Sequence, residues 1–180
     1  MGTTTTLVTV QEFLQMPEVE GERLELINGE VISMPLSGQP HEVTKSNLIM
    51  VLAPWAVLNP GLRVFCEAAC QVDEANCLIP DISLISSSRI MPGSRGVFQT
   101  APELAIEVVS SEAAARLEDK IELYLSHGSK SVWVVYPSKR TVRVFDIDGG
   151  AKLFGNGQPL VDPSVLPGFS IPTSAIFEGV

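Results

Sequence analysis

One short apolar segment, residues 104–109, constrains the fold more than any other feature of this 180-residue chain. Its sequence, Leu-Ala-Ile-Glu-Val-Val, is typical of a strand that is buried on both faces of a sheet. The run contains a single carboxylate, Glu107. Burying that group without a partner would cost several kcal/mol, so Glu107 is predicted to contact a metal ion, a cationic side chain or a proton.

The segments after this strand predict a βαβ unit. A helix is expected over about residues 112–126, with Ser110 and Ser111 as candidate caps and Gly128 at its end. An apolar strand follows over residues 131–136. Because the connections are short and such crossovers are right-handed, this strand should run parallel to the Glu107 strand.

Lys120 stands at the margin of the apolar stripe of the predicted helix. From there its stem can follow the sheet and bring the ammonium group toward Glu107. A lysine that simply reaches solvent is the alternative for any single residue at such a margin. Asp81 stands at the start of a further short strand over residues 80–85. It favours a lysine directed at Glu107, because two acids, Asp81 and Glu107, and Lys120 then come together. The stripe consists of Leu117, Ile121, Tyr124 and Leu125.

The N-terminal part predicts a β-hairpin followed by a long helix. Strands over residues 23–27 and 30–34 flank Asn28-Gly29, the strongest short-range signal for a two-residue type I′ turn. The helix is expected over about residues 41–58, kinked or ended by Pro54. One side of it carries Val43, Asn47, Met50, Val51, Pro54 and Trp55.

The remaining segments predict shorter elements. A short helix is expected over residues 10–16, strands over 62–66 and 68–72, and a half-exposed edge hairpin starting at 141–147. Residues 86–102, rich in Ser, Gly and Pro, form a loop that is either a variable connection or a flap over the site. The tail is expected to wrap the domain and to be anchored by Ile176 and Phe177.

The composition limits which partners the protein is expected to bind. The formal charge of −9 and pI near 4.6 are unusual for a nucleic-acid-binding protein, so such binding should be weak or depend on divalent ions. The basic clusters are local: Arg89 with Arg95, and Lys139 with Arg140 and Arg143. No stretch has the length and hydropathy of a membrane span or a signal peptide, which predicts a soluble, cytoplasmic protein.

Three cysteines and two histidines offer no zinc-site spacing. Reduced, mostly buried thiols are therefore expected, without a disulfide. We assign residues 1–180 to one domain of the α/β (α+β) class, with a mixed sheet flanked by helices and an N-terminal β-hairpin.

An acid ahead of one strand, an acid inside the next and a nearby lysine form the core arrangement of metal-dependent nucleases. The wider pattern, spread over nearly the whole chain, resembles the bacterial restriction endonucleases of Uma type, within the PD-(D/E)xK superfamily. The superfamily's lysine usually stands two residues after the glutamate, where this chain has Val109. In the Uma-type family it has moved to the helix, which matches Lys120. The similar segments are 25–30, His41, Pro80-Asp81, 102–110, Lys120 with Tyr124, 132–135 and 166–169.

The resemblance implies a restriction-endonuclease-like core and hydrolysis of DNA phosphodiester bonds with Mg²⁺ or Mn²⁺. It implies that Asp81 and Glu107 are metal ligands, with the Val108 carbonyl as a third candidate, and that Lys120 is the catalytic cation. Glu30, Glu25 and His41 are auxiliary candidates, for each of which a salt-bridged or capping role is favoured. One departure is Ser110-Ser111-Glu112, where the family usually has Ser-Pro-Ser.

Two alternatives stay open at this level. The first is a catalytically silent relative that acts as a metal- or partner-binding module, which the charge of −9 favours. The second is hydrolysis of a small phosphorylated substrate. A homodimer is compatible with cleavage of two strands, and nothing in the sequence requires it.

Overall fold

The computed structural model describes residues 7–17, 19–35, 37–91, 96–110 and 116–180. Within them the helices are α1 (Val10–Phe13), α2 (Gln39–Leu58) and α3 (Leu117–Ser126), with 3₁₀ turns at Ser87–Arg89, Pro137–Lys139 and Thr173–Phe177. The strands are β1 (Glu22–Ile27), β2 (Glu30–Pro35), β3 (Leu62–Cys66), β4 (Cys70–Gln71), β5 (Cys77–Leu78), β6 (Ile82–Ser86), β7 (Leu104–Val108), β8 (Ser131–Tyr136), β9 (Thr141–Asp146), β10 (Ala151–Phe154), β11 (Pro159–Leu160) and β12 (Ile171–Pro172).

A mixed six-stranded sheet, in the order β10-β9-β8-β7-β6-β3, forms the centre of the fold. Its single parallel pair is β7 with β8, as the βαβ prediction requires, and every other neighbouring pair is antiparallel. The remaining strands form a smaller sheet in the order β2-β1-β5-β4 and a short β11-β12 pair. The predicted mixed sheet with flanking helices is confirmed.

The central sheet separates two layers of core. On one face, α2 contributes Leu48 and Leu52, and the C-terminal segment contributes Leu166 and Phe177. The other face is covered by α3 and by Ile27 of the smaller sheet β2-β1-β5-β4, which we call the hairpin sheet because it contains the N-terminal hairpin. Because both faces are covered, β7 and β8 read as nearly continuous apolar runs.

The N-terminal hairpin is confirmed. Asn28 and Gly29 both have positive φ, 53° and 75°, as a type I′ turn requires. The turn docks on the segment before β5, where the Asn28 N–H donates to the Asn76 side chain at 2.6 Å. This docking fixes the direction in which β1 enters the molecule.

Several local predictions were wrong in detail. Helix α1 ends at Phe13 rather than near residue 16. Helix α2 ends at Leu58 as predicted and runs through Pro54, which therefore does not end it. The buried side of α2 is formed by His41, Thr44, Asn47, Leu48 and Leu52, whereas Met50 is 65% exposed. With mostly apolar residues all round α2, periodicity could not identify the face that packs on the sheet.

Other predictions concern loops and termini. The strand expected over residues 68–72 is only β4, which joins the smaller sheet. The loop over residues 86–102 leaves the central sheet at Ser86, whereas Asp81 precedes the other end of the same strand, β6. Ile176 and Phe177 are buried, as predicted for the tail. Arg95, Ser111, Glu112 and the predicted start of the α3 helix lie outside the described residues.

Two absences hold for the described ranges. None of their helices is both long enough and apolar enough to cross a membrane. None of their cysteines forms a disulfide: Cys70 and Cys77 are buried, and Cys66 is exposed.

Candidate functional site

Strand pairing brings Asp81 to the end of the strand that carries Glu107. Strands β6 and β7 are antiparallel with Ile82 opposite Ile106, so the residue before β6 lies beside the last residues of β7. Asp81 Oδ2 accepts a hydrogen bond from the Val108 N–H at 2.8 Å, in place of the next ladder bond. The aspartate is thus held rigidly by the backbone.

Helix α3 supplies two partners to Glu107. Lys120 Nζ lies 2.7 Å from Glu107 Oε1, and the Tyr124 hydroxyl donates to the same oxygen at 2.9 Å. Lys120 and Tyr124 stand one helical turn apart, so they face the strand together. Glu107 is 7% exposed and Lys120 is 6% exposed, so both charges are almost entirely removed from water.

A second carboxylate, from the hairpin, reaches the same lysine. Glu25 Oε1 accepts from Lys120 Nζ at 2.9 Å and from the Ile79 N–H at 2.8 Å. Glu25 Oε2 is buried and has no hydrogen-bond partner among the described residues. The ammonium group therefore bridges two acids that come from different sheets.

Burial and charge oppose each other in this cluster. Burial raises the pKa of Glu107 to about 7, although the attraction of Lys120 lowers it. Burial by itself lowers the pKa of Lys120, but the attraction of Glu107 and Glu25 outweighs it and raises that pKa above its usual range. The charged form of Lys120 is accordingly favoured by its two acidic neighbours, whereas burial disfavours the charged form of Glu107.

Cations also surround Asp81. His41 Nε2, from the first turn of α2, lies 3.2 Å from Asp81 Oδ2, and Arg23 Nη1 lies 3.4 Å from Oδ1. Burial raises the pKa of Asp81, but the hydrogen bond and charge of His41 outweigh it and lower that pKa. Burial lowers the pKa of His41, but the hydrogen bonds and charges of Asp81 and Glu42 together outweigh burial and raise that pKa.

The donor set fits a divalent cation of the Mg²⁺ type. No three His, Cys, Asp or Glu side chains in the described part of the chain converge as a complete metal cluster. Mg²⁺ nevertheless commonly takes one or two carboxylates and keeps several waters. Glu107 uses only Oε1 toward its described partners, and Glu25 Oε2 is a buried acceptor without a described partner.

The Val108 carbonyl is a consistent third oxygen. In a strand, the N–H and C=O groups of one residue point to the same side. Because the Val108 N–H points at Asp81, its carbonyl points toward that side as well. Two carboxylates and one carbonyl, all hard oxygen donors, can thus face one position.

Comparison with known proteins places this arrangement in a family. The family Uma2, described as "Putative restriction endonuclease", matches residues 10–174. The chain belongs to the Uma2 family. Comparison with curated proteins gave no match.

A solved structure agrees with the Uma2 assignment. The chain is similar to the crystal structure of "a putative nuclease belonging to DUF820" from Anabaena variabilis ATCC 29413, with a TM-score of 0.84 and 26% sequence identity. The similarity covers 95% of this chain and 98% of that one. Family and fold together indicate a restriction-endonuclease-like nuclease.

Six of the seven residues expected at the Uma2 site lie together, and one does not. Asp81, Glu107, Val108, Lys120, Glu25 and His41 form one contiguous cluster. Glu30 instead pairs with Arg116 at 2.5 Å, and both side chains are about 40% exposed. Glu30 pairs with Ile27 across the hairpin and so shares the face of Glu25, but beside the turn its described contact is Arg116 and not the cluster.

Lys120 differs from its predicted environment. It is buried rather than marginal, which excludes the solvent-reaching alternative. The apolar stripe of the helix correctly predicted that the Lys120 side chain points toward Glu107. It gave no information on the hairpin sheet, which covers the lysine from the other side. Its partner Glu25 belongs to that layer.

Two residues of the cluster were missed by the sequence analysis. Arg23 contacts Asp81, and the Tyr124 hydroxyl contacts Glu107. A signal for Arg23 existed: residues two apart in a strand share a face, so Arg23 accompanies Glu25 on β1. In the sequence, Tyr124 belongs to the apolar stripe and to the family-like segments, but neither gives its hydroxyl a role.

Proposed function

We propose that the chain is a metal-dependent endonuclease that hydrolyses phosphodiester bonds in DNA. Asp81, Glu107 and the Val108 carbonyl would hold Mg²⁺ or Mn²⁺, and Lys120 would be the catalytic cation. The observation that carries the proposal is the 2.7 Å contact of Lys120 with Glu107, beside an aspartate fixed to the adjacent residue of the same strand.

The chain's own residues would have distinct tasks. Lys120 keeps its positive charge because two acids attract it, so it can orient a water molecule or stabilise negative charge on a phosphate. Tyr124 donates to Glu107 and fixes its orientation. When bound, the divalent cation would supply charge stabilisation on the phosphate oxygens and make the attacking water more acidic.

The test pairs a metal titration with cleavage of plasmid and single-stranded DNA. Asp81→Asn, Glu107→Gln and Lys120→Met should each lower the cleavage rate by about 100-fold or more, which is typical for the loss of one preorganised electrostatic group. Calorimetric titration of Mg²⁺ and Mn²⁺ should show binding that Asp81→Asn weakens. Asp148→Asn and Lys152→Met, which make the same chemical changes at exposed positions, are the matched controls.

One observation favours a second candidate function. Asp81 and Glu107 are already paired with cationic side chains, so the cluster is charge-balanced without a metal ion. Together with the charge of −9, this favours a catalytically silent binding module. Asp81-dependent metal binding without cleavage of any DNA would support that candidate, whereas cleavage that survives all three site variants would exclude the proposed residues.

The other features of the proposal come from the sequence. A single domain over residues 1–180, a homodimer and a cytoplasmic location stay predictions, and each has its own test. Limited proteolysis tests the domain, sedimentation of the purified protein tests the dimer, and cell fractionation tests the location.

A further inference from the structure

A groove of about 560 Å³ opens beside the candidate site. On one side it is bordered by the first turn of α2, including His41, and on the other by the residues that follow β7 and β8. His41 also contacts Asp81 at 3.2 Å, so the groove and the acidic cluster share a wall. A ligand in the groove would therefore extend directly to the proposed reaction centre.

The side chains that line this groove differ in charge from the rest of the protein. Arg140 and His41 are among them, and none of the described lining side chains is acidic. The whole chain carries 21 acidic residues against 12 lysines and arginines. A second cavity, of about 700 Å³, has three aspartates and two lysines in its lining: Asp146, Asp148, Asp162, Lys130 and Lys152. Overall composition therefore does not explain the lack of acids in the first groove.

Arg140 is held in place at the groove. Its backbone is in the left-handed region, with φ 49°, directly after the 3₁₀ turn Pro137–Lys139. Its Nη2 donates to the Val180 carbonyl at 2.6 Å, which leaves further guanidinium N–H groups for a ligand. Ser110 and Ser138 also line the groove. Guanidinium and hydroxyl donors together suit a phosphate group.

The size of the groove limits the ligand. A volume of about 560 Å³ is that of a pocket for one small ligand, such as a single nucleotide. Duplex DNA is usually bound through many phosphates across an extended basic surface, which a chain of charge −9 does not favour. A single strand needs only a narrow groove with a few cations.

We propose that this groove binds one unpaired nucleotide next to the phosphate that reacts, and that the preferred substrate is consequently single-stranded DNA or an unpaired end. Arg140 contacts the phosphate of that nucleotide, and Ser110 and Ser138 supply further hydrogen bonds. Cleavage at this position rests on the proposed nuclease function, whereas binding of the strand does not.

The test measures binding apart from cleavage. Fluorescence anisotropy with a labelled ten-nucleotide oligothymidine and with a blunt duplex is recorded in EDTA, so that no metal-dependent cleavage occurs. Arg140→Ala should weaken binding of the single strand about tenfold, as expected for the loss of one charge-assisted contact, and should lower the salt dependence by about one phosphate. Ser138→Trp, which fills the groove from an exposed position, should also weaken it.

Arg143→Ala is the matched control. Arg143 is also exposed, but it lies over the Phe145 ring on β9 and does not line the groove. Arg143→Ala changes the net charge by the same amount but removes no side chain from the groove lining, so its effect should stay within about twofold, as expected for a solvent-screened charge. Circular dichroism confirms that each variant is folded.

Three results would overturn the inference: no binding of the single strand, equal weakening by Arg140→Ala and Arg143→Ala, or binding of the duplex that is as tight as that of the single strand. A failure of the proposed nuclease function would give a different result. If the wild type cleaves no DNA with Mg²⁺ or Mn²⁺ while Arg140-dependent binding persists, the groove is a nucleotide site of a non-catalytic protein.

Discussion

Lys120 contacts two carboxylates at once, Glu107 at 2.7 Å and Glu25 at 2.9 Å, in a region that excludes most water. Removing one partner of a buried ion pair costs far more than the pair contributes, because the remaining charges lose both water and partner. The lysine therefore has a structural role besides any role in chemistry, and the two must be measured separately.

We predict that Lys120→Met lowers the free energy of unfolding by about 3–5 kcal/mol, because Glu25 and Glu107 then face each other without a cation. Adding Glu25→Gln should recover part of this loss by removing one of the two acids. Urea denaturation at pH 7.5 measures both effects, with Lys152→Met as the exposed control. A double variant that is as unstable as the sum of the single variants would contradict the coupling.

The pair of His41 and Asp81 links stability to pH. The pKa of His41 is raised above its ordinary 6.5, so its contribution is complete below 6.5 and is lost as the pH rises through the folded-state pKa. The pKa of Asp81 is lowered below its ordinary 3.8, so its contribution is present above 3.8 and is lost as the pH falls through the folded-state value. The pair thus stabilises the fold most between these two ordinary values.

We predict that His41→Gln destabilises the protein most in that acidic window and progressively less above it. The measurement is the free energy of unfolding of wild type and variant, in urea without divalent ions, over a series of pH values. A difference between the two proteins that stays constant up to alkaline pH would show that His41 contributes only by packing.

At the scale of elements, the N-terminal hairpin decides where Glu25 and Arg23 lie. Its turn restricts residue type, because both central residues have positive φ, which Gly, Asn and Asp adopt most easily. At Gly29 an added Cβ would lie 3.0 Å from the Leu7 Cβ, so both conformation and space require glycine. A change in the turn should therefore also change the positions of Glu25 and Arg23 in the cluster.

We predict that Gly29→Ala destabilises the protein by about 1–2 kcal/mol or more, from the left-handed backbone and the close contact with Leu7. Gly61→Ala is the control, since its backbone is not in the positive-φ region and nothing lies within 4 Å of an added Cβ. It should be neutral or slightly stabilising. Thermal unfolding of the two variants tests the prediction, and equal effects would contradict it.

At the scale of the whole molecule, the three cysteines report on the integrity of the packing. Burial raises the pKa of Cys70 to about 12 and that of Cys77 to about 11. Cys66 is exposed, at the end of the edge strand β3. Only a thiolate that a reagent can reach will react.

We predict that one thiol per chain reacts with a disulfide reagent in the native protein at pH 8, and that all three react in urea. Cys66→Ser should abolish the native reaction without changing the count of the other two in urea. Rapid native labelling of a second thiol would mean that the hairpin sheet, which contains Cys70 and Cys77, opens independently of the central sheet.

Much of the site followed from local patterns in the sequence. The apolar run around Glu107, the βαβ rule and the stripe on α3 together predicted that Lys120 would approach Glu107, as it does. The same patterns could not choose between Glu25 and Glu30, because both belong to the predicted hairpin and their difference in position is one of tertiary packing. Only Glu25 contacts Lys120, whereas Glu30 pairs with Arg116.

The amino-acid sequence alone determined the elements whose causes are local: the Asn28-Gly29 turn, the parallel β7 and β8 pair, and the order of Asp81, Glu107 and Lys120 along them. Turn geometry, periodicity and crossover handedness act between neighbours in the chain, so they can be read from it. The tertiary structure decided the burial of Lys120, the bridge to Glu25 across 95 residues and the cations around Asp81. Those contacts arise only when two separate sheets close over one another, and no local preference specifies how that closure occurs.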